Sequence, residues 1–143
     1  MKLVGRGLAF DDLKVGMQFR THRRTILEAD VAAFVGLTGL TEELFTVVED
    51  SKKRLVPGAL VYSFAEGLLL PTMQDTGLAF LNATLDVKAP TLVGDTIHVE
   101  CEVKEARLAS KGDRGLVRFA NQVVNQRGET VLAYNPLRLL KKS

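Results

Sequence analysis

The stretch Leu55-Val56-Pro57-Gly58-Ala59-Leu60-Val61-Tyr62-Ser63-Phe64-Ala65-Glu66-Gly67-Leu68-Leu69-Leu70-Pro71 decides the fold. Between its two prolines only Ser63 and Glu66 are polar, so no wide hydrophilic face exists at helical spacing. A helix that is apolar nearly all round has to be buried on most of its sides. It is too short to cross a bilayer, which takes about 20 apolar residues. Proline suits a first helical turn, where its missing N–H would have gone unpaired, and a second proline discourages continuation. The stretch predicts a buried helix of about three to four turns, wrapped by a larger element.

The wrapping follows in the chain. From Ala79 to Ala89 every odd position is apolar, and Asn82, Thr84, Asp86 and Lys88 hold even ones. After Pro90 and a turn at Leu92-Val93-Gly94-Asp95, Ile97, Val99, Cys101 and Val103 face one way and His98, Glu100, Glu102 and Lys104 the other. This period of two predicts half-buried antiparallel strands. Lys111 to Gly115 makes a turn, Leu116 to Asn125 a strand, Gln126-Arg127-Gly128 a hairpin, and Thr130 to Leu140 a last strand. Its weaker alternation suits a strand covered on both faces or lying at a subunit contact. Upstream, Phe10 to Gly16 reads as irregular and Met17 to Ile26 as β. Leu27 to Leu37 is helical, with Val31, Phe34 and Val35 at i, i+3, i+4, acidic residues in the first turn and Gly39 as its stop. Thr41 to Arg54 is a loop or short helix. The expectation is an α+β chain, residues 1–143 forming a single domain, with four antiparallel strands round one helix.

Composition narrows the function. The chain has 143 residues, 46% apolar and 25% charged, with a net charge of +2. Such a weak field suits neither nucleic acid nor an anionic membrane. No aromatic residues interleave with the basic ones as a nucleic-acid platform requires, and no phosphate-binding glycine pattern is present. The single cysteine, Cys101, supplies neither an internal disulfide nor a metal cluster. The amino terminus lacks a secretory apolar run, so a cytoplasmic setting is expected.

Several segments together resemble the MaoC-like hotdog-fold dehydratases. They are Phe10-Asp11-Asp12-Leu13-Lys14-Val15-Gly16, Arg24 to Phe34 ending at Leu37-Thr38-Gly39, Pro57-Gly58-Ala59-Leu60, Ala65-Glu66-Gly67-Leu68, Ala89 to Thr96 and Val124 to Glu129. The resemblance implies a hotdog homodimer or higher oligomer. It also implies acyl thioesters of coenzyme A or acyl carrier protein as substrates, no separate cofactor or metal, and reversible hydration of a 2-enoyl thioester as the reaction. One departure stands out. Active members carry Gly-Asp-x-Asn-Pro-x-His, whose aspartate and histidine move protons. Here the stretch is Gly39-Leu40-Thr41-Glu42-Glu43-Leu44-Phe45, and neither Leu40 nor Phe45 can do so.

Candidate site residues follow. The backbone N–H groups behind Pro57, at Gly58 and Ala59, lack intrahelical partners and carry the positive end of the helix dipole, suiting a thioester carbonyl. Glu66 is the one ionisable side chain in the apolar helix, so it needs a partner or a raised pKa. It stands nine residues beyond Pro57, the spacing of a catalytic glutamate in some hotdog thioesterases, which makes thioester hydrolysis an alternative. Structural pairing at a subunit contact is the other reading. Leu40 and Phe45 are expected beside the acyl group, and Lys111 and Arg114 near an anionic ligand. The basic run Arg20, His22, Arg23, Arg24 is either a solvated strand edge or a contact for the phosphates of coenzyme A. His22 and His98 are expected exposed, and Cys101 in the core. A third reading is a non-catalytic acyl-CoA-binding or partner subunit.

Overall fold

The computed structural model describes residue 1, residues 3–49 and residues 52–143. Lys2 and two residues of the Thr41–Arg54 segment, 50 and 51, lie outside the described residues. A short 3-10 turn at Phe10–Asp12 precedes, in order, β1 (Gln18–Arg20), β2 (Arg24–Thr25), α1 (Glu28–Thr38), α2 (Glu43–Thr46), α3 (Gly58–Met73), β3 (Gly77–Asn82), β4 (Leu85–Val87), β5 (Thr96–Leu108), β6 (Arg114–Val124), β7 (Thr130–Tyr134) and β8 (Leu137–Lys141).

All strand pairs are antiparallel. β1 and β2 line one side of β5, and β6 lies on its other side. β8 and β7 then run end to end along β6, with β3 beside β8 and β4 beside β7. Four strands were expected after the central helix; six appear, because two of the four are interrupted. One knot of polar side chains holds both breaks. Asn135 Oδ1 accepts from the Thr84 N–H at 2.6 Å, and Arg118 donates to Asn82 Oδ1 at 2.6 Å and to the Asn135 carbonyl at 2.9 Å.

The sheet curls over α3, the arrangement of the hotdog fold. The core joins Leu60, Val61, Ala65 and Leu69 of α3 to Val31 and Val35 of α1, Ile97, Val99 and Cys101 of β5, Val123 of β6, and Val131 and Leu132 of β7. Each buried Leu, Ile or Val contributes on the order of 1.5–3 kcal/mol. The α1 capping follows its sequence: Asp30 Oδ2 accepts from the Leu27 N–H at 2.9 Å, and Gly39 closes the helix with a positive φ of 78°.

Two expectations are corrected here. The central helix is not buried on most sides of this chain, because Ala59, Ser63, Gly67 and Leu70 are exposed along one face. It also continues past Pro71 to Met73. Proline removes the bond to the Gly67 carbonyl, and the exposure of Gly67 leaves that carbonyl open to water. Nor are β3 and β4 half-buried: every residue in them is exposed, including Leu78, Phe80, Leu81, Leu85 and Val87. They form the outer edge of the sheet and leave these apolar side chains in the open. Among the described residues no helix is long and apolar enough to cross a membrane.

Candidate functional site

The amino end of α3 is set by the segment before it. Leu55 bridges Leu92, the Val56 N–H donates to the Thr91 carbonyl at 2.8 Å, and the Val93 N–H donates to the Arg54 carbonyl at 2.9 Å. The turn on the far side is held by buried Asp95, which accepts from the Leu92 N–H and from Gln126 Nε2, both at 2.9 Å. Pro57 is fully buried and its carbonyl accepts from the N–H groups of Leu60 and Val61 at 2.9 and 3.2 Å. The N–H groups of Gly58 and Ala59 have no protein acceptor among the described residues.

Gly58 lines an apolar cleft of about 450 Å³, and Ala59 follows it on α3. Leu44 and Phe45 form one wall, Leu55, Gly58 and Val61 the floor, and Val87 to Thr91 with Val131 and Leu132 the other wall. Arg54 fixes the Phe45 wall by donating to the Phe45 carbonyl and to Glu28 Oε2, each at 2.7 Å. A Cβ on Gly58 would meet Val87 Cγ2 at 3.3 Å, so glycine permits the helix end to approach β4. Among the described residues the one ionisable side chain lining the cleft is Lys88.

The sequence candidates separate in space. Gly58 and Phe45 line this cleft, whereas Pro57, Ala59 and Leu40 do not. Lys111 and Arg114 are not brought to it. They sit at the opposite end of the thirteen-residue β5, where Arg114 is tied to Asp113 at 2.9 Å. That pairing, led by the hydrogen bond from Arg114, holds the Asp113 carboxyl below its usual range.

Glu66 lies two turns along α3 and accepts three hydrogen bonds. Arg138 donates to both of its oxygens at 2.8 and 2.6 Å, and the Tyr134 hydroxyl donates to Oε2 at 2.7 Å. Arg138 is 7% exposed and Glu66 28% exposed at the side chain. Burial alone would lower the Arg138 pKa, but the hydrogen bonds and charge of Glu66 hold it above its ordinary range. Burial, followed by the Glu66 charge, raises the Tyr134 and Tyr62 hydroxyls. This geometry is that of a structural ion pair. Its partners escaped sequence reasoning because they belong to the last two strands, 68 and 72 residues away. Cys101 is buried as expected, and burial pushes its thiol up to about 12. His22 is exposed, but His98 is only 12% exposed at the side chain and bonds Glu100 at 2.8 Å.

No family model matches the chain. It superimposes on the monoamine oxidase regulatory protein of Archaeoglobus fulgidus with a TM-score of 0.82 and 30% identity, over 96% of this chain and 97% of that one. It superimposes on a protein described as a MaoC domain dehydratase from Chloroflexus aurantiacus with a TM-score of 0.89 and 26% identity, over 99% of this chain and 42% of that one. The (R)-specific enoyl-CoA hydratase of Aeromonas caviae is 28% identical over 126 residues, or 85% of this chain and 90% of that protein. The chain belongs to the MaoC-like hotdog family.

Proposed function

We propose that this MaoC-like protein binds acyl thioesters of coenzyme A or a carrier protein in the helix-end cleft. Hydration or dehydration of a 2-enoyl thioester is its nominal reaction. The observation that carries this reading is the apolar cleft lined by Gly58, the first of two helical amides without a protein acceptor among the described residues. A thioester carbonyl set on Gly58 and Ala59 would gain two aligned donors in a partly water-excluded site, where they stabilise developing enolate charge. Val61, Val87, Val131 and Leu132 would take the acyl chain. The relation to an enoyl-CoA hydratase supports the substrate class.

A second reading, a non-catalytic binder or a partner subunit whose acid and base come from another chain, is favoured by one observation. Among the described residues neither a carboxylate nor an imidazole lines the cleft, and hydration needs a group that moves protons. The hydrolytic reading is less supported, since three donors already engage the Glu66 carboxylate it would use as base. The exposed apolar edge of β3 and β4 and the open face of α3 support a homodimer.

Incubation with crotonyl-CoA, followed by enoyl absorbance, tests the reaction, and thermal shift with butyryl-CoA tests binding. Loss of absorbance supports the hydratase reading. A flat trace with a raised melting temperature supports the binder. Neither signal would remove acyl-CoA from the account.

A further inference from the structure

Both histidines and two of the three arginines of the basic run converge away from the thioester cleft. A groove of about 610 Å³ lies between the segment joining β1 to β2 and the carboxyl-terminal half of α3. Arg20, His22, Arg23 and His98 line it, over a floor made by Leu68 and Pro71. We propose that this groove binds a phosphate ester or diphosphate anion carrying an organic group.

The charge balance supports an anion. Arg24, next in sequence, is already engaged by Asp30 at 3.3 Å and by the Phe64 ring at 3.9 Å. The carboxylate beside the groove, Glu100, is bonded to His98. Arg20 and Arg23 have no ion pair among the described residues. Guanidinium groups present paired donors that match phosphate oxygens.

The backbone that carries them is fixed. Thr21 donates its N–H to the Val99 carbonyl and accepts the Val99 N–H on Oγ1, both at 2.9 Å. Its hydroxyl also donates to the His22 carbonyl at 2.8 Å. Two unpaired arginines therefore flank a clamped residue, and little order has to be imposed when an anion binds. A charged strand edge that merely deters pairing needs no concave surface. This one has a groove of ligand size with apolar floor residues beneath the charges.

Two sources carry this chemistry. One is the phosphate-bearing end of coenzyme A, which rests on the function proposed above. Gly58 and Leu68 are ten residues apart on α3, about 15 Å at 1.5 Å per residue, so thioester and phosphates would occupy the two ends of one elongated ligand. The other is a free phosphorylated compound with no thioester.

Titration of the full chain with inorganic diphosphate and, separately, with coenzyme A tests the site, read by calorimetry and by amide shifts. Binding of either probe that shifts Thr21 to Arg23 and weakens on the order of tenfold or more in Arg20→Ala/Arg23→Ala supports it. Tight binding of coenzyme A with weak binding of diphosphate assigns the carrier end; similar binding of both assigns a free phosphate compound. A Lys14→Ala/Arg107→Ala variant, with the same charge loss on exposed residues elsewhere, should bind like the parent. No binding of either probe, no loss in the arginine variant, or an equal loss in the control overturns the proposal. The crotonyl-CoA assay fails or succeeds independently, because diphosphate binding requires no thioester chemistry.

Discussion

Replacing Glu66 by glutamine separates a structural carboxylate from a catalytic one. The substitution keeps shape and removes one charge, leaving the 7%-exposed Arg138 guanidinium without its counter-ion. Breaking a buried pair from one side costs about 3–5 kcal/mol. Glu66 retains 28% exposure, so water compensates in part and the lower end, about 3 kcal/mol, is expected. For a chain of this length that corresponds to a melting temperature lower by roughly 10 °C. Glu66→Leu/Arg138→Met, which removes both charges, should recover most of the loss, because a well-packed apolar pair often matches a buried ion pair. Denaturant unfolding of the parent, the single variant and the double variant provides the assay. If Glu66→Gln unfolded within about 0.5 kcal/mol of the parent while abolishing a thioester hydrolysis that the parent performs, the structural assignment would be refuted.

Three further outcomes are expected. Gly58→Ala should reduce stabilisation by butyryl-CoA in thermal shift while changing the ligand-free melting temperature little, since the new Cβ meets only Val87 Cγ2, at 3.3 Å, on the cleft wall. Gly115→Ala should destabilise by about 1–3 kcal/mol in denaturant unfolding, because its Cβ would overlap the Phe10 ring. Cys101 should resist thiol alkylation in the native state. Its folded pKa of about 12 exceeds its ordinary 9, so the unfolded chain loses this proton first and stability falls as pH rises above 9. The slope from this group is at most about 1.4 kcal/mol per pH unit, and comparison with Cys101→Val between pH 9 and 10 isolates it.

Much of the fold was legible because local chemistry and burial agree. In α1 the acidic first turn, the buried Val31 and Val35 and the left-handed Gly39 all follow the sequence pattern. In β5 the odd residues Ile97 to Val103 are buried as their alternation predicts. The breaks between β3 and β4 and between β7 and β8 were hidden, because Asn135 and Arg118 fix them from distant positions. Pro71 misled for a physical reason: it falls on the exposed face, where the carbonyl it orphans can meet water. At the cleft, Gly58 and Phe45 could be read locally. Lys88 and the β4 wall could not, since only the curl of the sheet brings them opposite Gly58. The partners of Glu66 were equally out of reach, with no local motif linking α3 to the final strands.

The central claim is that the exposed amides of Gly58 and Ala59 receive a thioester carbonyl. A crystal structure with butyryl-CoA tests it most directly. The account predicts the carbonyl oxygen about 2.7–3.1 Å from one or both of those nitrogens, with the acyl chain between Phe45 and Val87. An acyl group bound elsewhere, or a carbonyl turned away from the helix end, would contradict it.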